Sequence, residues 1–313
     1  MIELLIQIIL LVVGFGILIK GSDVFVSGSS NIATILKIPT LVVGLTIVAF
    51  GTSAPEAAVS ISASLQGSNA LAVSNVVGSN IFNILGIIGI CALLKELKLG
   101  ENVLKKDIPF LLIITLLLVG FILLNWDLTR IEGIILLILI IIYTAHLVYT
   151  SKKSKGADFV EKPKFGIGKS ILYVIIGLIA IILGAQLVVN SSSYLAIACG
   201  MSETLVGLTI VAIGTSLPEL VTSLTALKRN ENQLVIGNVI GSNIFNILFV
   251  LGLSSAINPI TVSSNMIIDL ALMIFITILC FIFGKSQNKF DRKEGIILIG
   301  LFILYMAFVI IRN

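Results

Sequence analysis

The chain has 313 residues, 58% hydrophobic and only 12% charged, with a formal net charge of +4 and a mean hydropathy of +1.17. A soluble domain carries about 25% charged residues, so a soluble enzyme fold and a nucleic-acid-binding domain are both excluded. The composition is that of an all-α polytopic membrane protein.

A helix needs about 20 consecutive apolar residues to cross a bilayer. Ten stretches meet that length at roughly 2–19, 39–65, 70–94, 108–125, 131–149, 168–190, 204–227, 234–256, 266–284 and 294–311. The first is read as a span rather than a signal peptide, because its MIELLIQ start carries Glu3 and no lysine. Cys91, Cys199 and Cys280 share no metal-ligand spacing and are read as small packing residues. His146, the sole histidine, ends an apolar run beside a lysine-rich segment and is read as interfacial. No phosphate-binding loop or dinucleotide fingerprint is present. Any energy source is therefore a gradient or another subunit.

The second and third stretches hold the informative segments, and both recur. VGLTIVAFGTSAPE at 43–56 meets VGLTIVAIGTSLPE at 206–219, with 12 of 14 positions identical at an offset of 163. SNVVGSNIFNILG at 74–86 meets GNVIGSNIFNILF at 237–249, with 10 of 13 identical at the same offset. RIEGIILLILIIIY at 130–143 meets RKEGIILIGLFILY at 292–305 at an offset of 162. The repeat thus spans five helices: residues 1–150 form the first unit, 151–166 a basic linker, and 167–313 the second unit.

An odd number of helices per unit inverts the second copy in the membrane. Charge placement agrees. Alternate loops hold 18 of the 20 Lys and Arg residues, counting Lys20 as lying beyond the first helix, and only Arg130 and Arg312 fall on the other side. Cytoplasmic loops carry that excess. The expected topology in the cell membrane has both termini outside and the 151–166 linker in the cytoplasm. Inverted repeats are a plan of secondary transporters.

Glu56 and Glu219 sit deep in apolar segments of both copies. A carboxylate at the bilayer centre costs about 2.5–3.5 kcal/mol even on a lenient scale. Pro55 and Pro218 each remove a backbone donor beside them, a break tolerated where freed carbonyls line a protected cavity. Helical spacing puts Thr52 and Ser53 on the face of Glu56, with the Ala49 carbonyl one turn back. Thr215, Ser216, Glu219 and Ala212 repeat the arrangement. Asn75, Ser79 and Asn83 form a polar stripe on the next helix, as do Asn238, Ser242 and Asn246. Asp23 is a third acidic candidate, read as structural or interfacial, with Lys20 as a nearby partner. The inventory is carboxylate, hydroxyl, amide and carbonyl oxygen, which suits Ca²⁺ and Na⁺ rather than Zn²⁺ or Cu⁺. Two glutamates carry a charge that one Ca²⁺ neutralises. Ser53 and Ser216 as hydrolase nucleophiles lack a repeated base, and a passive channel accounts less well for a duplicated, closed site.

GTSAPE and GTSLPE, each followed by GSNIFNIL, resemble the α-repeats of the cation/Ca²⁺ exchanger superfamily, in its Na⁺/Ca²⁺ exchanger branch. The resemblance implies a single-chain, ten-helix antiporter that works as a monomer in the lipid bilayer, without cofactor or enzymatic activity, and exchanges Na⁺ for Ca²⁺. It implies ligands at Glu56, Glu219, Thr52, Ser53, Ser79, Asn83, Thr215, Ser216, Ser242 and Asn246, with the carbonyls of Ala49 and Ala212. Asn at both 83 and 246 departs from potassium-dependent relatives, which resemble this pattern with one Asp. The proton-coupled branch, whose repeat carries a further acidic residue, is the alternative: an H⁺/Ca²⁺ antiporter on the same scaffold. The short linker leaves no room for Ca²⁺-sensing regulatory domains.

Overall fold

Long apolar runs without an interior breaker become long helices; the computed structural model describes residues 2–67, 69–153, 162–201, 210, 212–263 and 266–312. α1 (Ile2–Leu36) is one helix of 35 residues, well beyond the predicted stretch of 2–19. Its length is about 52 Å at 1.5 Å per residue, against a hydrocarbon core of about 30 Å, so it crosses at a tilt or runs past the core. Nothing between Ile19 and Leu36 ends it. Gly21 is tolerated because its missing Cβ admits Ala180, whose own Cβ lies 2.8 Å from where the added atom would sit. Lys37 adopts a left-handed φ of 53°, and Pro39 follows, a common helix stop. Lys20 therefore lies inside α1, not in a loop.

The chain then forms α2 (Thr40–Thr52) and α3 (Ala54–Leu65), which meet at a bend of 49°. α4 (Leu71–Leu94), α5 (Val103–Leu124) and α6 (Arg130–Lys153) complete the first half. The second half contains α7 (Ile167–Ala198), α8 (Leu217–Lys228), α9 (Asn232–Ile257), α10 (Ile267–Gln287) and α11 (Arg292–Arg312). Among the described residues, eight helices are long and apolar enough to cross a membrane, or nine if the bent pair counts as one span. The predicted stretch 204–227 falls partly on residues 202–209 and 211, outside the described residues. What is described of it is the single turn Ala212–Gly214 followed by α8.

α4 and α9 form the buried centre. Ile81, Ile84, Leu85, Ile87 and Ile88 of α4 and Ile236, Val239, Ile247 and Leu248 of α9 have no exposed surface. Each contains a π-helical segment, Phe82–Ile88 and Asn246–Leu251, that begins two or three residues after the GSN triplet. Such widened turns often mark functional sites. α1 and α7 pack along each other through glycines. A Cβ on Gly177 would come within 2.6 Å of the Phe25 backbone nitrogen, and one on Gly184 equally close to that of Leu18. The outward faces of α6 and α11 are apolar and exposed, with Ile131, Ile141, Ile303 and Leu304 each more than 60% accessible. In a bilayer those faces meet lipid.

Two short antiparallel ladders join the halves. β1 (Leu97–Lys98) pairs with β4 (Lys289–Phe290), and β2 (Asp127–Leu128) pairs with β3 (Ile260–Thr261). β3 lies 163 residues after β1, and β4 lies 162 after β2, so each ladder is the other's counterpart. The residues preceding β2 and β4, Trp126 and Asn288, both adopt left-handed φ values, 58° and 55°. The next helices begin with matching capping boxes: Thr129 with Glu132, and Asp291 with Glu294. After the linker, Lys164 N–H donates to Asn31 Oδ1 and Asn31 Nδ2 donates to the Phe165 carbonyl, both at 2.7 Å, pinning the start of the second half to α1.

Candidate functional site at the crossing of the two repeated motifs

Each GTS-x-PE motif is folded as helix, break, helix. Ser53 (φ −82°, ψ 7°) and Ser216 (φ −92°, ψ 7°) hold the same non-helical conformation, and each precedes a helix with proline in its first turn. Proline is tolerated there because the first-turn N–H groups have no intrahelical acceptor. Glu56 and Glu219 consequently lie in the first turns of α3 and α8. The exposed N–H dipoles there favour a negative charge. Both glutamates are fully buried.

The two breaks meet, and their hydroxyls cross over. Ser53 Oγ donates to Glu219 Oε1 at 2.8 Å, and Ser216 Oγ donates to Glu56 Oε1 at 2.9 Å. Helical spacing alone placed Ser53 beside Glu56; the 49° bend turns it instead toward the glutamate of the other half. Ser79 Oγ lies 3.3 Å from Glu56 Oε1 and 2.9 Å from Ser216 Oγ, and it accepts a hydrogen bond from Asn246 Nδ2 at 3.3 Å. Thr52 Oγ1 donates to Asn238 Oδ1 at 3.0 Å, and Thr215 Oγ1 donates to Asn75 Oδ1 at 3.4 Å. The Ala49 carbonyl already accepts the Ser53 N–H at 3.0 Å and lies 3.5 Å from Thr52 Oγ1. Ala212 opens the turn Ala212–Gly214 on the approach to Ser216.

Five of the buried oxygens at this crossing have no hydrogen-bond partner among the described residues: Glu56 Oε2, Glu219 Oε2, Asn83 Oδ1, Asn246 Oδ1 and Ser242 Oγ. A buried polar atom left unsatisfied costs about 1–3 kcal/mol, and a charged one more. The four ion pairs among the described residues all lie elsewhere, so no basic side chain offsets the two carboxylates. Two carboxylate, two amide and one hydroxyl oxygen are ligands for a hard cation. A cation held among them would relieve both the orphaned oxygens and the carboxylate repulsion.

Two supporting asparagines, Asn80 and Asn243, escaped the reading of the sequence, whereas Asn75 and Asn238 lay on its polar stripes. Asn75 Nδ2 donates to the Glu56 carbonyl (3.3 Å) and Ser60 Oγ (3.0 Å), while Asn238 Nδ2 donates to the Glu219 carbonyl (3.2 Å) and Ser223 Oγ (3.0 Å). These two asparagines tie α4 to α3 and α9 to α8. Asn80 and Asn243 exchange amide-to-carbonyl hydrogen bonds at 3.3 and 3.2 Å, and Asn83 Nδ2 donates to Asn243 Oδ1 at 2.9 Å. Their signal was the invariance of the asparagine in both GSN triplets, one position off the polar stripe.

The remaining candidates lie apart. Asp23 pairs with Arg229 at 2.9 Å, not with Lys20, on the half-exposed surface between α1 and the end of α8. Cys91 and Cys280 are buried singly and Cys199 is exposed. Among the described residues no three His, Cys, Asp or Glu side chains cluster.

The profile of the family described as sodium/calcium exchanger protein matches this chain twice, at residues 6–149 and 169–311. The chain belongs to the sodium/calcium exchanger family. It is a multi-pass membrane antiporter for Ca²⁺ and a counter-cation. CaxA of Alkalimonas amylolytica, named as an antiporter, is 38% identical over 96% of this chain and 98% of its own. The sodium/calcium exchanger MaX1 of Methanosarcina acetivorans is 32% identical, covering 98% of both chains. The solved structure of the sodium-calcium exchanger NCX_Mj soaked with Na⁺ and Sr²⁺ superposes with a TM-score of 0.86 at 33% identity, over 98% of this chain and 99% of that one.

Proposed function

We propose that this exchanger couples Na⁺ movement down its gradient to Ca²⁺ movement by alternating access, with both ions competing for one oxygen site. The observation that carries the reading is the crossed pair of glutamates, each with one carboxylate oxygen held by a serine of the other half and one left without a partner among the described residues. Glu56 and Glu219 are the shared ligands. Thr52, Ser53, Ser79 and Asn83 from the first half, and Thr215, Ser216, Ser242 and Asn246 from the second, complete the subsites with the carbonyls of Ala49 and Ala212. Ca²⁺ neutralises both carboxylates at once. Na⁺ ions spread over several oxygens do the same, so loading one ion displaces the other.

The two halves, residues 1–150 and 167–313, are an inverted repeat in the cell membrane, with both termini outside and the linker in the cytoplasm. The reciprocal ladders and reciprocal Ser–Glu bonds support a two-fold relation, and the lysine-rich alternate loops support the orientation. The glycine-lined contact of α1 with α7 makes this pair the moving gate, since close backbone approach without interlocking side chains permits sliding. One chain contains the whole site, so a monomer suffices.

The deciding experiment is Ca²⁺ uptake into proteoliposomes loaded with Na⁺, at equal pH on both sides and clamped potential. Uptake that disappears when internal Na⁺ is replaced by choline supports sodium coupling. Uptake indifferent to Na⁺ but driven by a pH gradient assigns the same glutamates to H⁺/Ca²⁺ exchange. Uptake needing no counter-ion marks a channel.

A further inference from the structure

The helix after the first ladder strand of each half carries a buried aspartate near its start, and the two aspartates have different surroundings. Asp107 lies on α5 and Asp269 on α10, 4% and 3% exposed. They are 162 residues apart, the offset that also relates β2 to β4 and Tyr143 to Tyr305. The register is structural: Thr115 and Thr277, at the same offset, each donate to the carbonyl one turn back, at 2.8 and 2.7 Å.

In the second half the aspartate is paired. Arg312 Nη1 donates to Asp269 Oδ2 at 2.9 Å, its guanidinium lies 5.2 Å from the Phe308 ring centroid, and the Tyr305 hydroxyl interacts with the same carboxylate. In the first half Tyr143 likewise donates to Asp107 Oδ1, at 3.3 Å. The counterparts of Phe308 and Arg312, however, are His146 and Thr150. Thr150 carries no charge, and its hydroxyl bonds back to the His146 and Leu147 carbonyls. Where the arginine would reach, there is a cavity of about 300 Å³, lined by Asp107 and Tyr143 with Leu45, Phe110, His146 and Thr150. Lys106 stands exposed at its rim and attracts Asp107 from a distance, but among the described residues Asp107 forms no ion pair.

We propose that this cavity is a binding site for a small alkylguanidinium cation, which occupies the place that Arg312 fills in the other half. The Asp107 carboxylate, oriented by Tyr143, accepts the guanidinium N–H groups in the charge-assisted geometry that carboxylates offer them. Phe110, stacked on Tyr143 at 4.5 Å between centroids, provides an aromatic wall, and Leu45 packs against the alkyl chain. Another wall is the start of α2, through Leu41, Val42 and Leu45. That helix leads to Thr52 and Ser53, so occupancy bears on the exchange site. This last consequence rests on the function proposed above, whereas binding itself does not.

The test is isothermal titration calorimetry of the purified full-length protein in detergent with n-propylguanidine, which reproduces the arginine side chain. Saturable binding to a single site is expected. Asp107→Asn should weaken it about tenfold or more. Thr150→Arg, which tethers a guanidinium where Arg312 stands in the other half, should abolish binding and raise the unfolding temperature. Glu56→Gln should leave binding intact, separating this site from the exchange site. Absence of saturable binding, equal affinity in Asp107→Asn, or loss of binding in Glu56→Gln alone would each overturn the proposal.

Discussion

Ser53 of the first motif hydrogen-bonds Glu219 of the second at 2.8 Å, and the relation is returned by Ser216 and Glu56 at 2.9 Å. Neither half can build this site alone. A movement that separated the two breaks would take one serine from each glutamate simultaneously.

Replacing Glu56 or Glu219 by Gln keeps the shape and removes one charge. A hydrogen bond or contact to a charged group is worth about 3 kcal/mol at the upper end, or about a hundredfold in an equilibrium. Ca²⁺ uptake by either variant should fall by about that factor in proteoliposomes. Full activity in Glu56→Gln would remove that residue from the ligand set.

Ser53→Ala and Ser216→Ala each remove one crossing donor while sparing the carboxylate. The KM for Ca²⁺ should rise about tenfold, corresponding to about 1.4 kcal/mol. Because Ser53 acts on Glu219 and not on Glu56, a double-mutant cycle should show strong coupling for Ser53→Ala with Glu219→Gln. The pair Ser53→Ala with Glu56→Gln should be closer to additive.

With Glu56 and Glu219 as the proposed ligands, protons should compete with cations for the two carboxylates. Protonating either one removes a negative charge, so the effect on Ca²⁺ affinity has one sign: acid weakens it. Uptake measured from pH 8 to pH 5 at fixed Na⁺ gradient should decline, with an increasing KM for Ca²⁺. A flat profile would be incompatible with glutamate ligands.

Gly177 faces the α1 backbone so closely that a Cβ would sit 2.6 Å from the Phe25 nitrogen, whereas Gly300 has nothing within 4 Å. Overpacking of this kind costs about 1–3 kcal/mol. Gly177→Ala should lower the unfolding temperature in detergent and slow exchange, and Gly300→Ala should change neither.

Arg229→Ala breaks the ion pair with Asp23. Both side chains are substantially exposed, at 33% and 49%, and exposed pairs contribute about 0–1 kcal/mol. Thermal unfolding should shift only slightly and Ca²⁺ uptake should be retained, in keeping with a surface contact outside the ion pathway.

Much of the molecule was legible in the amino-acid sequence because membrane insertion imposes simple rules. Apolar length marks the spans, and a carboxylate within one stands out because it is costly there. The duplicated GTS-x-PE and GSN segments pointed to the two helix breaks that the fold brings together. Helix ends were less legible: α1 continues 17 residues past the expected Ile19 because Gly21 and Gly28 are absorbed by close packing against α7, which no local signal announces. Asp23 was assigned a near neighbour, Lys20, and found a distant one, Arg229.

The sequence by itself determined that the chain is a bundle of membrane helices with two copies of one oxygen-rich motif, since periodicity, hydropathy and repetition are properties of the chain. Only the tertiary structure decided that each serine serves the other copy's glutamate, that five oxygens are left without partners among the described residues, and that Asp107 faces a cavity where Asp269 holds Arg312. The physical reason is that these relations depend on how distant helices meet, across 160 residues or more of chain for the serine–glutamate pairs and 43 for Asp269 and Arg312. A 49° bend at Ser53 is enough to redirect a hydroxyl from its own helix to its neighbour.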